Sequence, residues 1–298
     1  MDGAVRHTIP TPFIWRRVHS LLGLWLVIYL TEHLLVNSQA ALWIGDDGHG
    51  FVRLVNALES LPYLQVIEVV LIGIPLLIHA IWGIKRIFVA KENSGKSDGS
   101  KPSLGEYGRN RAFTWQRITS WILLFGLIGH VVQMRFVDFP KKAMLNQEEQ
   151  SMVKVSFDEG LYTLAPRLGV ELYSPSEIES IKEKFSTSEQ QKWMETLSSF
   201  CLKKNQVVAV AATPGTAMLL TLRDTFKNPI LAILYTIFVM AAAFHAFNGF
   251  WTFLITWGVI LSMPSQKSMT KVALVGILVL SFLGLVAIWG SYWINLRN

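Results

Sequence analysis

Five separate segments of this 298-residue chain are apolar over about 20 residues each, the length that a helix needs to cross a bilayer. We therefore expect an all-α membrane protein, a bundle of five transmembrane helices numbered I to V along the chain. Charged residues make up only 16% of the chain and lie mainly between these segments, which is typical of a multi-pass membrane protein. The expected spans are Val18–Ala41, Tyr63–Ile84, Ala112–Val132, a stretch within Pro229–Leu261, and Val272–Ile294.

The distribution of the net charge of +6 indicates an orientation in the membrane and argues against a nucleic-acid partner. Between Lys85 and Arg117, the connector of spans II and III holds eight basic and three acidic residues. Arg16 and Arg17 precede span I, and two lysines lie between spans IV and V. Because positive connectors mark the cytoplasmic face, the N-terminus and both of these loops are predicted to be cytoplasmic. The first apolar run exceeds signal-peptide length, so no cleaved leader is expected.

The connector between spans III and IV differs from the others because it is long and its charges balance. Residues 138–228 carry eleven basic and twelve acidic side chains, which predicts a small folded insertion outside the membrane, on the external side. The chain would then have one membrane domain, residues 1–137 and 229–298, interrupted by this insertion.

Local patterns predict the elements of the insertion. Ser176 followed by Glu179 fits a helix capping box, and a polar helical pattern continues to about Lys203 with a break near Ser186. Two apolar runs, Val207–Ala212 and Ala217–Leu222, flank a Thr-Pro-Gly sequence and are predicted to be two strands joined by a turn. The alternative of a sixth span is disfavoured, since the proline and glycine split the run and charged residues follow at once.

Four of the seven histidines lie inside apolar segments, one in each of spans I to IV, and they are candidate functional residues because an imidazole in hydrocarbon is costly. They are His33, His79, His130 and His245. Helical rise places His33 roughly 24 Å and His130 roughly 20 Å from the cytoplasmic start of their spans. His79 lies roughly 9 Å from the cytoplasmic boundary, and His245 lies beyond the midplane in the same direction.

The depths predict an outer histidine pair, His33 with His130, and an inner histidine pair, His79 with His245. Two histidines that face each other across a bundle can hold one haem iron from both sides. Because the single cysteine excludes a Cys-x-x-Cys-His attachment and a cysteine-ligated cluster, such haems would be b-type. The alternative is that these histidines are hydrogen-bonded packing residues or proton relays, but four of them, paired in depth, favour haem. His7 and His49 lie in polar connectors.

At these residues the chain resembles the cytochrome b membrane anchor of succinate:quinone oxidoreductases (succinate dehydrogenase or fumarate reductase), of the type with one anchor polypeptide and two haems. The order and spacing of the histidines carry the match, over all five spans. The matching stretches are Trp15–Gly23 leading to Glu32-His33, Ile78–Ala80, Trp115–Ser120 leading to Gly129-His130, and Phe244–Ala246.

The resemblance implies partners and cofactors. The partners would be a flavoprotein with FAD and an iron–sulfur subunit on the cytoplasmic side of a bacterial inner membrane, together with the lipid bilayer and membrane quinone as the substrate. This chain would carry two haem b and no dicarboxylate catalytic site. The inner pair would hold the haem nearer the partner subunits, and the outer pair the distal haem.

The resemblance also implies contacts for the haem propionates, near the cytoplasmic starts of spans I and III. By position these are His19, Ser20, Gln116 and Arg117. Arg117 suits a carboxylate through its forked donors, although it could instead anchor the end of its helix.

Carboxyl groups near the external side are weaker candidates for accepting quinol protons. Glu68 within span II is preferred to Glu32 beside His33 and to the loop residue Glu59. The chain departs from the family in its long III–IV connector. It also has Ala243 where some members carry a glutamate implicated in proton transfer, so a proton path of that kind is in doubt.

Two other functions remain open from the sequence. One is a dihaem cytochrome b of another quinone-linked enzyme, such as a hydrogenase or formate dehydrogenase. A bc-type cytochrome would place two histidines on each of two helices; His19 and His33 are fourteen residues apart, but no partner helix repeats that spacing. The other is a haem-free transporter that uses histidines as relays.

Overall fold

A computed structural model describes residues 9–89, 104–182 and 185–297 of the chain. Within these ranges five helices are long and apolar enough to cross a membrane, so the predicted bundle of five spanning helices is confirmed. His7 and much of the basic II–III connector lie outside the described residues. The spanning helices are Thr11–Ser38, Leu64–Arg86, Gly108–Val137, Pro229–Thr256 and Met263–Ile294.

The first half of the membrane region contains seven helical segments within the described residues. Helix α1 (Thr11–Ser38) forms span I, and α2 (His49–Glu59) lies in the connector that follows. Span II is α3 (Leu64–Glu68), a π-helical segment (Val69–Gly73) and α4 (Ile74–Val89). Span III is α5 (Gly108–Val131), which continues into a second π-helical segment, Val132–Val137.

The π-helical segment of span II stands next to Pro75, which has no N–H to give to the carbonyl four residues earlier. That carbonyl belongs to Leu71, and it accepts a hydrogen bond of 2.6 Å from the indole Nε1–H of Trp25 on α1. Insertion of a side chain into the backbone ladder is one of the recognised causes of local helix distortion. Span I therefore satisfies a backbone group that the proline of span II leaves open.

Residues between spans III and IV fold into a four-stranded antiparallel sheet with helices. The strand order is β1-β2-β4-β3, so β2 and β4 are central. In chain order the elements are β1 (Lys141–Leu145), β2 (Glu148–Ser156), α6 (Glu159–Arg167), β3 (Glu171–Tyr173), α7 (Pro175–Ile181), α8 (Ser188–Ser198), β4 (Gln206–Ala211) and α9 (Pro214–Thr225).

Both faces of this sheet are covered, because side chains alternate across β2 and β4. On one face Val155 of β2 packs in a cluster with Leu161 of α6 and Leu220 of α9. On the other face Met152 packs with Trp193 of α8. The insertion therefore has its own two-sided core, although the chain as a whole is dominated by membrane helices.

The predicted capping box lies two residues too far along the chain. The capping box is formed by Ser174 and Glu177, with Pro175 at the first helical position, rather than by Ser176 and Glu179. Proline fits that position since its missing N–H would have no partner there. The predicted break near Ser186 is confirmed, as Thr187 caps a new helix. That helix ends at Ser198, before Lys203.

The second predicted strand, Ala217–Leu222, was wrong, because these residues lie in α9. The first strand is confirmed as β4. Thr213 is the N-cap of α9, and its side chain accepts from the backbone N–H of Thr216. A threonine followed by proline marks a helix start as well as a turn, and the ambiguity is resolved here in favour of the helix. The rejection of a sixth span stands, since this region is a strand followed by a helix of 12 residues, which is too short to cross a bilayer.

The second half of the membrane region completes the bundle. Span IV is α10 (Pro229–Thr256). Span V is α11 (Met263–Leu285), a π-helical segment (Val286–Gly290) and α12 (Ser291–Arg297).

The chain packs as two compact units, and each is described by itself. One comprises the described residues within 1–32, 65–124 and 240–281, and it contains the inner pair and His19. The other comprises the described residues within 33–64, 125–239 and 282–298, and it contains the outer pair and the described part of the insertion. The membrane orientation and the division into a membrane domain and an external insertion stay predictions.

Candidate functional site

The inner pair lies across two spanning helices. His79 on α4 and His245 on α10 have ring centroids 6.3 Å apart, with their planes at 76°. Two imidazoles that bind one iron from opposite sides place their ring centres about 6 Å apart, because each metal–nitrogen bond is about 2 Å and each ring centre lies about 1 Å further out. The separation therefore fits a shared iron.

The outer pair has the same kind of geometry. The rings of His33 on α1 and His130 on α5 have centroids 5.8 Å apart and planes at 83°. An axial imidazole can rotate about its metal–nitrogen bond without changing this separation, so nearly perpendicular planes are compatible with a common iron. Within the residues that the structure describes, no group of three or more His, Cys, Asp or Glu side chains could hold a metal ion. A haem asks the protein for only two axial ligands.

The second ring nitrogen of His79 has a partner that fixes its tautomer. Its Nδ1 lies 3.1 Å from the backbone carbonyl oxygen of His19. A carbonyl can only accept, so Nδ1 carries the hydrogen and Nε2 keeps its lone pair for a metal. This is the arrangement that orients a histidine ligand.

His245 is oriented by a hydroxyl group on span III. Its Nδ1 lies 3.4 Å from Oγ1 of Thr119, which is buried. The Thr119 hydroxyl already donates to the carbonyl of Trp115 at 2.8 Å, so it can only accept from His245. Nε2 of His245 is again left unprotonated.

His130 is oriented in the same way by a phenol. Its Nδ1 lies 3.3 Å from the Tyr235 hydroxyl, and that hydroxyl donates to Oε1 of Gln133 at 3.1 Å. Tyr235 therefore accepts from Nδ1 of His130. Three of the four candidate ligands thus have a hydrogen-bond acceptor at Nδ1, which leaves Nε2 available on each.

His19 stands beside the inner pair. Its ring stacks on that of His79, with centroids 4.0 Å apart and planes at 10°. Its Nδ1 is buried and has no hydrogen-bond partner. A buried polar atom without a partner is uncommon, and an anionic group bound beside His79 would satisfy it. This observation fits the propionate of a haem held by the inner pair.

The other predicted propionate contacts already bond to protein groups. Ser20 donates to the carbonyl of Arg17 and accepts from the indole of Trp257 at 3.0 Å. Arg117 lies over the ring of Phe113, with 5.8 Å between the guanidinium carbon and the ring centroid. Direct contact of Ser20 with a propionate would need its hydroxyl to turn, so for both residues the role stays a prediction.

Gln116 of span III is hydrogen-bonded to span IV at His245. Its Nε2 donates to the His245 carbonyl at 3.1 Å, and its Oε1 accepts from Nδ2 of Asn248 at 2.7 Å. Asn248 is buried, so this pair ties α5 to α10 within the apolar region. A propionate contact of Gln116 also stays a prediction.

The two candidate quinone carboxyls lie on neighbouring spans. Glu68, the last residue of α3, is half-buried, whereas Glu32 on α1 is exposed. Tyr29, one turn before Glu32, lies within electrostatic range of both carboxyls. These groups could exchange protons with a molecule in the bilayer beside spans I and II.

Sequence reasoning missed three residues that support the histidines, which are Thr119, Tyr235 and Asn248. A signal was present, because each is a polar residue inside a predicted span, where polar groups need partners. Only the folded arrangement indicates which histidine each one serves.

Comparison with known proteins extends the resemblance along the chain. No family model matches the sequence. The chain is 26% identical over 278 residues to the succinate dehydrogenase cytochrome b558 subunit of Bacillus subtilis (strain 168), which covers 93% of this chain and 96% of that protein. The resemblance to the cytochrome b anchor of these complexes is thereby confirmed, and the presence of two haems stays a prediction.

Proposed function

Starting from this relationship to the cytochrome b membrane anchors of succinate:quinone oxidoreductases, we propose that the chain is the dihaem anchor subunit of a succinate dehydrogenase or fumarate reductase complex. In that role it carries electrons between an iron–sulfur subunit and membrane quinone. The observation that supports this most is the pair of cross-helix histidine contacts, with ring centroids 6.3 and 5.8 Å apart. A haem-free relay would not require two such separations.

The histidines would be the axial ligands of two haem b. These groups, when bound, supply one-electron redox chemistry. The inner pair would hold one and the outer pair the other. The chain contributes the orientation of the rings, because the His19 carbonyl, Thr119 and Tyr235 accept from Nδ1 of His79, His245 and His130, and each Nε2 keeps its lone pair.

The propionates of the inner haem would lie near His19 and Arg117. The partnerless Nδ1 of His19 supports that position, since it could donate to a carboxylate. Arg117 offers forked donors. Gln116 would act chiefly by holding the backbone of span IV at His245.

Glu68 is the preferred group for taking protons released by quinol or supplying them to quinone. It is half-buried on span II, near Tyr29 and Glu32, and so stands where an apolar quinone could approach from the bilayer. Glu32 is the second choice because it is exposed.

The proposed setting is the bacterial plasma membrane, with the chain as a multi-pass subunit. A flavoprotein subunit would carry FAD and the dicarboxylate site, and an iron–sulfur subunit would carry the clusters. Both would dock on the face that holds the basic II–III connector. The chain itself would be an electron-transfer subunit and not the dehydrogenase proper.

The test is the haem content of the purified complex. We expect two b-type haems per copy of this chain in the reduced-minus-oxidised spectrum. His79→Ala and His33→Ala should each lose one haem, and loss should be confined to the pair that contains the altered residue. His49→Ala is the matched control, because His49 is exposed in α2 and should leave both haems in place. A preparation without haem would overturn the proposal.

A further inference from the structure

The outer pair is joined to the insertion by a continuous chain of hydrogen bonds. Nδ1 of His130 meets the Tyr235 hydroxyl at 3.3 Å, which donates to Oε1 of Gln133 at 3.1 Å. Nε2 of Gln133 donates to Oγ1 of Thr225 at 3.4 Å. Thr225 lies at the end of α9, and its hydroxyl donates to the Thr221 carbonyl at 2.9 Å.

The direction of every bond in this chain is determined. The Thr225 hydroxyl hydrogen is taken by a carbonyl, so Thr225 can only accept from Gln133. The amide of Gln133 then presents its oxygen to Tyr235, whose hydrogen is taken in turn. Tyr235 is left as an acceptor for Nδ1 of His130. The network therefore selects one tautomer of His130 from the far end, which lies in the insertion.

Packing holds the phenol ring in the position that this network needs. Phe226 meets the Tyr235 ring edge-on, with centroids 5.3 Å apart, and Phe238 does so at 6.2 Å. Phe226 is buried at the C-cap of α9, so it too belongs to the insertion. Because both contacts are with the ring, removal of the hydroxyl alone would leave them intact.

We propose that Tyr235 is a positioning residue for His130, and that helix α9 of the insertion sets the electronic character of that ligand through Gln133 and Thr225. The inference rests on the proposed function, in which His130 binds the outer haem iron. An acceptor at Nδ1 makes an imidazole a stronger electron donor, which stabilises the ferric iron and lowers the reduction potential. The insertion thereby acquires a role in tuning the outer haem.

The test is a redox titration of both haems in the assembled complex that carries Tyr235→Phe. The variant keeps the ring contacts and removes the acceptor. At a fixed potential, we expect the ratio of ferrous to ferric outer haem to rise three- to tenfold. This corresponds to an increase in its reduction potential of about 28 to 59 mV. The potential of the inner haem should stay where it is. Gln133→Leu should shift the outer haem in the same direction by less, because the Tyr235 hydroxyl remains but loses its fixed orientation.

Two controls separate tuning from general disturbance. Thr119→Val keeps the shape of the side chain but removes the acceptor for His245, so it should move only the inner haem. Tyr173→Phe removes a hydroxyl of the insertion that donates to Glu171, and it should move neither. If Tyr235→Phe does not retain the outer haem, the same redox titration is made on Gln133→Leu and Thr225→Val, which leave the Tyr235 hydroxyl beside His130 in place.

The outcomes for this inference and for the proposed function are distinct. Two haems with unchanged potentials in both Tyr235→Phe and Gln133→Leu would overturn the positioning role and leave the proposed function standing. Absence of haem from the unaltered complex would overturn both. A shift confined to the outer haem supports the inference, whereas equal shifts in both haems contradict it.

Discussion

A glycine on span I leaves room for one of the proposed ligands, and its replacement should disturb one haem selectively. A Cβ atom added to Gly23 would lie 3.0 Å from Cε1 and 3.5 Å from Nδ1 of His79. Ordinary contacts of this kind are 3.4 Å or more, so the imidazole of His79 would have to move by about 0.4 Å or the helices would have to separate. A functional site tolerates displacement of its ligating side chains by up to about 0.5 Å, so a shift of this size lies close to the limit.

We therefore expect Gly23→Ala to retain the inner haem with a shifted potential, and Gly23→Leu to lose it. Overpacking of this kind costs typically 1–3 kcal/mol, so the fold should survive while the ligand is displaced. The assay is haem content and redox titration of the purified complex. The outer haem provides an internal reference, because its proposed ligands His33 and His130 do not contact Gly23.

Gly83 provides the matched control for this substitution. It lies on the same helix as His79, and a Cβ there would meet Cε1 of His19 at 3.7 Å, an ordinary contact. Gly83→Ala should keep both haems and both potentials. Full retention of the inner haem with an unchanged potential in Gly23→Leu would refute the reasoning, since a leucine side chain cannot occupy that space beside an undisplaced His79.

Three further predictions concern the insertion. Asn56→Ala removes the acceptor of the Gly215 N–H (2.8 Å) and should weaken the α2–α9 contact by about 1–3 kcal/mol, seen as faster hydrogen exchange at the start of α9; unchanged exchange would contradict it. The hydrogen bond from Arg167 lowers the pKa of Asp47 below its ordinary value. The ion pair therefore stabilises the fold fully at any pH above the ordinary pKa, and this contribution is lost as the pH falls through the lowered pKa. Proteolysis of the insertion should then rise in acid, and Asp47→Asn should abolish that dependence. Ser174→Ala should destabilise α7 by about 1 kcal/mol, with increased exchange confined to that helix.

The spans and the histidine pairing were predictable because both depend on length and helical rise alone. About 20 apolar residues specify a span, and counting from Arg17, Lys85, Arg117 or Pro229 gives the expected depth of the imidazole in each span. The partners of the histidines were not predictable in the same way. Thr119 and Tyr235 are visible in the sequence as polar residues in apolar segments, but packing of different helices decides which ring each one meets.

The error in the insertion has a tertiary cause as well. Thr213-Pro214-Gly215 is compatible with a turn and with a helix start, and local sequence does not decide between them. In the fold a Cβ on Gly215 would lie only 2.6 Å from the Val52 carbonyl, so the glycine allows α9 to begin directly against α2. That contact involves residues more than 150 positions apart, which no local pattern encodes.

The bond from the Trp25 indole to the Leu71 carbonyl has a consequence for how spans I and II can move. If one helix slid along the other by a turn, that oxygen would be stranded in hydrocarbon, at a cost of several kcal/mol. The two helices are therefore locked in register by a single side chain. The same hydrogen bond keeps the His19 carbonyl of span I at the height of the His79 imidazole of span II. Pro75, which removes one backbone hydrogen bond from span II, therefore contributes to the alignment of the two helices.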